Sequence, residues 1–222
     1  MTDLSLATRI RVACRYSAMA YRDDIMSGWS RMCIGRDSMI YRLAADSGTL
    51  YLIWMGTGTL RGGSLGDKIR KWTRNVNALD RTGTGIHDGF ERATMPYIDA
   101  IHAMAADAAR TVYMGHSLGG AMALIAASHI GRLDDTVYAC GAPKAGSARF
   151  VSRLSDRVGA IYDVVCGADC VPSYPPYEMG YRSAGLRITL PVPAWHYWPV
   201  LRRVMRIHDH YPEQYVRRSM QV

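Results

Sequence analysis

The sequence predicts an α/β protein with a mostly parallel sheet, and three observations carry that expectation. From Thr49 onward, short β-rich runs alternate with helical stretches, the order that lays strands side by side with helices crossing over them. One of those strands ends in Gly115-His116-Ser117-Leu118-Gly119 and runs directly into Ala121 to Ile130, a strong helix former without Gly or Pro. The chain of 222 residues, 49% apolar and 21% charged, is long enough for one domain with a sizeable core. No internal repeat, low-complexity tract or linker interrupts it, so residues 1–222 read as a single domain.

Leu4 to Tyr21 carries Leu6, Ile10, Ala13, Ser17 and Ala20 at helical spacing and predicts an N-terminal helix. Ser38 to Leu43 and Thr49 to Trp54 read as strands joined by a turn at Asp46-Ser47-Gly48. The second is nearly all apolar, as befits a strand covered on both faces. A Gly-rich loop follows, then Asp67 to Leu79 with Ile69, Trp72, Val76 and Leu79 at helical spacing. Ile86 to Arg92 leads into a long helix expected from about Ala93 to Ala109. Thr111, Val112 and Tyr113 open the next strand, and Thr136 to Cys140 and Gly159 to Val165 are two more. A short helix falls at Ala148 to Leu154, an edge strand at Tyr181 to Leu190, and helices at Trp195 to Arg206 and Pro212 to Ser219.

Composition narrows the function classes. The five cysteines include no C-x-x-C pair, so neither a disulfide framework nor a zinc ribbon is indicated, and no metal or cofactor is expected. The longest apolar run, beginning at Leu118, is far short of a membrane span. Arg9, Arg11 and Arg15 stand where a signal peptide needs an unbroken apolar core. The chain therefore reads as soluble, and as cytoplasmic or released without a recognisable signal peptide. Its net charge of +8 points to anionic surfaces or substrates. The excess lies in two stretches, Arg61 to Arg81 and Arg182 to Val222. The second sets Trp195, Tyr197 and Trp198 beside Arg202, Arg203 and Arg206, a mix suited to an anionic membrane interface if the Trp side chains are not core residues.

The chemistry starts from Ser117. A strand, a glycine-flanked serine and a helix in that order make a nucleophile elbow, which exposes the hydroxyl beside a helix N-terminus. Such a serine needs a base, and the base needs an acid to fix its tautomer. With the partners following in the order serine, acid, histidine, Asp169 in the G-A-D-C-V-P loop is the stronger acid candidate and Asp163 the weaker. His196, His208 and His210 remain as bases, since His87, His102 and His116 precede Ser117 and His129 sits at the far end of its helix. The oxyanion donors are expected from the N–H of Leu118 and from Thr57, just past the apolar strand.

Six ordered motifs then resemble the class 3 (fungal-type, triacylglycerol) lipases, an α/β-hydrolase family. I-W-M-G-T resembles the family's V-F-R-G-[ST], and I-H-D-G-F-E-R-A resembles V-H-x-G-F. G-H-S-L-G-G matches the elbow. C-G-A-P-K-A-G looks like F-G-[SA]-P-x-x-G, and A-D-C-V-P-S-Y-P-P looks like D-x-V-P-x-x-P-P. D-H-Y-P-E-Q-Y resembles the D-H-x-x-x-x-Y ending of bacterial and phage members. The resemblance implies an α/β-hydrolase, its mostly parallel central sheet flanked by helices, with Ser117 as nucleophile, Asp169 as acid, His210 as base, and Thr57 and Leu118 as oxyanion donors. Met55 replaces the family's usual Arg, and Ser183 a common structural His.

The implied function is a carboxylic ester hydrolase, a lipase or esterase acting on lipid or small ester substrates. Alternatives are a phospholipase acting on anionic membrane lipids and a non-catalytic binding member of the fold. Nucleic acid is not expected as a partner, because no basic run or aromatic RNA-binding motif accompanies the charge.

Overall fold

A computed structural model describes residues 4–34, 37–44, 47–56, 83–198 and 207–222. Its centre is a seven-stranded sheet in the order β1-β2-β3-β4-β5-β7-β9. Strands β1 (Ser30–Ile34) and β2 (Asp37–Ala44) are antiparallel to each other, and β2 is antiparallel to β3 (Thr49–Trp54). From β3 the sheet is parallel through β4 (Arg110–His116), β5 (Thr136–Cys140), β7 (Ala160–Cys166) and β9 (Leu186–Leu190). In that register Trp54 lies opposite Gly115, His116 opposite Cys140, and Cys166 opposite Leu190, so the parallel strands end along one edge. Ligands of open α/β sheets bind at this carboxyl edge.

Apolar layers cover both faces. On one, α2 (Asp88–Thr94), α3 (Ile98–Ala106), α4 (Leu118–Ile130) and α5 (Ala148–Ser155) enclose Leu52, Trp54, Tyr113, Val137 and Phe150. On the other, α1 (Leu6–Met19) and α6 (Pro212–Ser219) lie against Ile53, Met114, Tyr138, Cys140 and Val164. Helix α4 is buried continuously from Leu118 to Ser128, as a helix apolar all round must be. Helix α1 buries Ile10, Ala13, Cys14 and Ser17 and starts at Ser5, whose hydroxyl accepts the Thr8 N–H.

Four departures from the sequence expectation have physical causes. The long helix expected from Ala93 to Ala109 is broken: α2 stops at Thr94, a 3₁₀ turn spans Met95–Tyr97, and α3 resumes at Ile98. Pro96 lacks the N–H that an α-helix interior needs. Helix α2 also begins earlier than expected, because the His87 ring caps it by accepting the Gly89 and Phe90 N–H groups. The strand expected over Tyr181 to Leu190 is two: β8 (Tyr181–Arg182) pairs with β6 (Gly146–Ser147) in a separate ribbon, and β9 joins the main sheet. Gly185, at φ +80°, makes the break, where a Cβ would stand 2.3 Å from the Ile161 carbonyl oxygen. Strand β1 was not expected at all, its exposed and half-buried S-R-M-C-I giving no clear period. The helix expected from Asp67 to Leu79 lies outside the described residues. Of the helix expected from Trp195 to Arg206, the described part is a 3₁₀ turn, Ala194–Tyr197, followed by Trp198.

Helix α4 can approach β3 only because Gly119 has no side chain. A Cβ there would lie 2.2 Å from the Trp54 carbonyl oxygen, a backbone atom in a central strand. Gly119→Ala is therefore expected to destabilise the protein by about 1–3 kcal/mol through overpacking. Urea unfolding checks this, read as a lower midpoint at unchanged slope.

Candidate active site

The elbow is a backbone device. Ser117 is the one non-glycine residue at positive φ among the described residues, at φ 59° and ψ −128°. A residue held there stores on the order of 1–3 kcal/mol of strain, which persists only where the surroundings over-determine it. Here the Ser117 N–H donates to the Cys140 carbonyl at 2.9 Å, locking the turn to β5. The Ser117 carbonyl accepts from Gly120 and starts α4. Leu118 occupies the first position of that helix, where an N–H has no intrahelical acceptor.

The strand order brings the late segments to this serine. Ser117 Oγ lies 2.8 Å from His210 Nε2, and His210 Nδ1 lies 2.8 Å from Asp169 Oδ2. His210 is fully buried and Asp169 nearly so. Asp169 comes from the loop after β7, and His210 from the turn that precedes α6. The carboxylate is held by two further donors, the Tyr215 hydroxyl to Oδ2 at 2.6 Å and the Val171 N–H to Oδ1 at 2.9 Å. Burial, then the Asp169 charge, pushes the Tyr215 phenol well above its ordinary pKa, so it is a donor throughout the working pH range.

Asp163 and His208 lie elsewhere. Asp163 sits inside β7 and pairs with Arg187 at 2.7 Å. His208 is largely exposed and faces Gln214 and Asp209. The His196 side chain lies outside the described residues, as does Thr57. The chain is described up to Gly56, which packs directly on the elbow: a Cβ there would stand 3.0 Å from Ser117 Cβ and 2.4 Å from the His116 carbonyl oxygen.

Sequence reasoning missed four supports. Tyr215 closes the D-H-x-x-x-x-Y motif, and the spacing to His210 was its available signal. Asp209 Oδ2 accepts the Ala168 N–H at 2.9 Å and so ties the histidine turn to the acid loop. Lys144, buried in the loop after β5, donates to the Ser173 carbonyl at 2.6 Å and the Pro175 carbonyl at 3.0 Å, while its own N–H reaches Tyr174 at 2.7 Å. Burial lowers its pKa to about 8. Tyr21, just past α1, places its hydroxyl 2.8 Å from His116 Nδ1. Burial, then the nearby His210, holds His116 well below the ordinary imidazole pKa, so it is a neutral neighbour whose ring lies 4.7 Å from that of His210. No sequence pattern marks Tyr21 or Lys144 for these contacts.

Tyr215→Phe keeps the ring and deletes one donor to a buried carboxylate. A hydrogen bond to a charged group contributes about 1.5–3 kcal/mol, and a loss of that size is expected in denaturant unfolding. A midpoint equal to that of the parent protein would show that the carboxylate does not depend on the phenol.

Comparison with known proteins places the chain in a family. The family model described as Lipase (class 3) matches residues 52–179. A secreted mono- and diacylglycerol lipase of Fusarium solani is 37% identical over 129 residues, covering 51% of this chain and 38% of that protein. One from Malassezia restricta is 31% identical over 131 residues, covering 53% and 44% respectively. The chain thus spans less than half the length of these curated relatives. Among solved structures, one described as a triacylglycerol lipase whose catalytic centre is a serine protease triad superimposes with a TM-score of 0.66 at 18% identity, covering 83% of this chain and 80% of that one. At that identity the likeness is one of fold.

The expected cytoplasmic location is overturned by these relatives, which are secreted by name. The arginines behind that expectation belong to α1, an amphipathic helix of the folded protein, and so carry no information about export. The fold, the elbow and a match over more than half the sequence agree: the chain belongs to the class 3 lipases.

Proposed function

We propose that this protein is a serine carboxylester hydrolase that cleaves acyl esters of lipids through an acyl-enzyme. The observation that carries the reading is the 2.8 Å approach of Ser117 Oγ to His210 Nε2 on a strained, buried elbow. Ser117 Oγ attacks the ester carbonyl while His210 takes its proton, and Asp169 holds the imidazole in the required tautomer. The oxyanion formed is met by the N–H of Leu118 and by Thr57. Collapse of the adduct breaks the C–O bond to the alcohol, which leaves with the proton from His210. Water then attacks the acyl-enzyme with His210 again as base, releasing the acid and restoring Ser117. The scheme calls for no metal or cofactor.

Residues 1–222 act as one domain in this reading, because the two apolar layers share one sheet. We propose an exported protein, in keeping with relatives secreted by name. The D-H-Y-P-E-Q-Y ending supports a bacterial or phage-like branch of the family, although the relatives named above are fungal.

Ser117→Ala is expected to abolish turnover of p-nitrophenyl esters, and a serine-directed phosphonate to label Ser117 alone. Labelling at another serine would sink the assignment. His210→Ala should lower kcat by roughly 10⁴ and Asp169→Asn by a comparable factor, as in other triads. His208→Ala and Asp163→Asn should leave kcat far less affected. For Thr57→Val, a loss of about 2–4 kcal/mol in the barrier is expected if its hydroxyl is an oxyanion donor.

A second reading adds peripheral contact with an anionic membrane. It is favoured by Trp195 and Trp198, which are 44% and 64% exposed rather than packed in the core. Trp is rarely so accessible in a folded protein, and its amphipathic ring suits the headgroup region. Replacing both with Ala should weaken binding to phosphatidylglycerol vesicles, and salt should weaken it further as the Debye length shortens to under about 10 Å. Binding equal on neutral and anionic vesicles at every salt concentration would remove this reading.

A further inference from the structure

The geometry points to a substrate class: we propose that the cleft between α1 and α6 binds a single-chain lipid ester with a phosphate-bearing headgroup. The proposal rests on the ester-hydrolase reading above and names what that site accepts.

The cleft has a volume of about 940 Å³, and Ser117 and His116 form part of its lining. Sites for small ligands occupy about 300–1,000 Å³, so this one is at the upper end, a size for one extended amphiphile rather than a three-chain lipid. Its walls are two helix stripes at i, i+3 and i+4 spacing. Val12, Tyr16 and Met19 face it from α1, and Val216 faces it from α6. Ile25 and Met26 also line it, and Met26 is 56% exposed. Such surface is stabilised by covering it with an acyl chain.

The charged groups lie on the same walls. Arg22 is matched by Asp24 at 3.1 Å. Arg15 and Arg217 are exposed, line the cleft from opposite helices, and make no ion pair among the described residues. Glu213 also lines the cleft and makes no ion pair with either arginine. Two guanidinium groups that line one cleft and make no ion pair among the described residues suit a phosphate, which accepts hydrogen bonds from both. In this arrangement the ester carbonyl sits at Ser117, the acyl chain runs along the Val12–Tyr16–Met19 stripe, and the phosphate rests between Arg15 and Arg217. Glu213 is placed to face the ammonium of a zwitterionic headgroup.

The test uses amphiphiles that cannot be hydrolysed. Isothermal titration of the intact protein compares n-dodecyl phosphate, the neutral 1-O-dodecylglycerol and inorganic phosphate, each below its aggregation concentration. Dodecyl phosphate is expected to bind at least about 10-fold more tightly than the neutral ether, a difference of about 1.4 kcal/mol. Arg15→Gln combined with Arg217→Gln should erase that preference. Val216→Trp, which fills the cleft, should weaken both amphiphiles about 10-fold, with Met26→Trp at another lining position serving if the first variant is misfolded by circular dichroism. Equal affinity for the two amphiphiles overturns the proposal, as does a preference that survives the double substitution. Inorganic phosphate binding as tightly as dodecyl phosphate overturns it too, since the site would then be a plain anion pocket. Turnover of p-nitrophenyl esters without the phosphate preference defeats this inference alone, whereas the preference without any ester turnover defeats the ester-hydrolase reading and leaves the binding site standing.

Discussion

The near-contact of α4 with the end of β3 is the constraint on which the site depends. Gly119 presses on the Trp54 carbonyl so closely that a single methyl has nowhere to go. That approach fixes where α4 begins, which forces Ser117 into its positive-φ turn and aims its hydroxyl out of the sheet edge. The strain at Ser117 is sustained by packing: α4 is buried on every side, and the turn is pinned to β5 through the Cys140 carbonyl. Stability stored in an apolar helix thereby holds one residue in a conformation it would not adopt alone.

Around that fixed point the remaining groups are carried by loops, and loops hold position only through hydrogen bonds. The acid loop is tied at both ends. Asp209 reaches its Ala168 N–H at one end, and Lys144 spans Ser173 to Pro175 at the other. Tyr215 then joins α6 to the acid itself. The His210 ring is therefore set between a rigid serine and a carboxylate that cannot swing away.

Much of this was legible in the residues. The parallel strands are short apolar runs bounded by Gly, Asp or Pro, and Thr136 to Cys140 and Pro212 to Ser219 came out with their observed bounds. Chemistry and chain order point to Ser117 and Asp169, but leave His196, His208 and His210 open as the base; only the family resemblance of the D-H-x-x-x-x-Y ending selects His210. What escaped was tertiary. Nothing local in R-Y-S-A-M-A-Y says that Tyr21 will meet His116 95 positions later, or that Lys144 will turn inward. Helix periodicity also ran past Pro96, where one missing N–H outweighed good flanking propensity. The secretion estimate failed for a different reason, because it took a stretch of the folded protein as a statement about an address.

The spacing of the site along the chain bears on how the protein is made. Ser117 and His210 are 93 positions apart, and Asp169 and His210 are 41 apart. Sheet strands β3 to β7 and helix α4 are complete in sequence before residues 207–222 are synthesised. During synthesis, then, the chain carries a finished elbow without its imidazole, and the long-range contacts that finish the site form after the scaffold. A nascent or interrupted chain that ends before residue 210 holds a serine hydroxyl of ordinary, weak nucleophilicity. Proton transfer from Ser117 to an imidazole is thereby deferred until residue 210 has been made and has docked against the elbow.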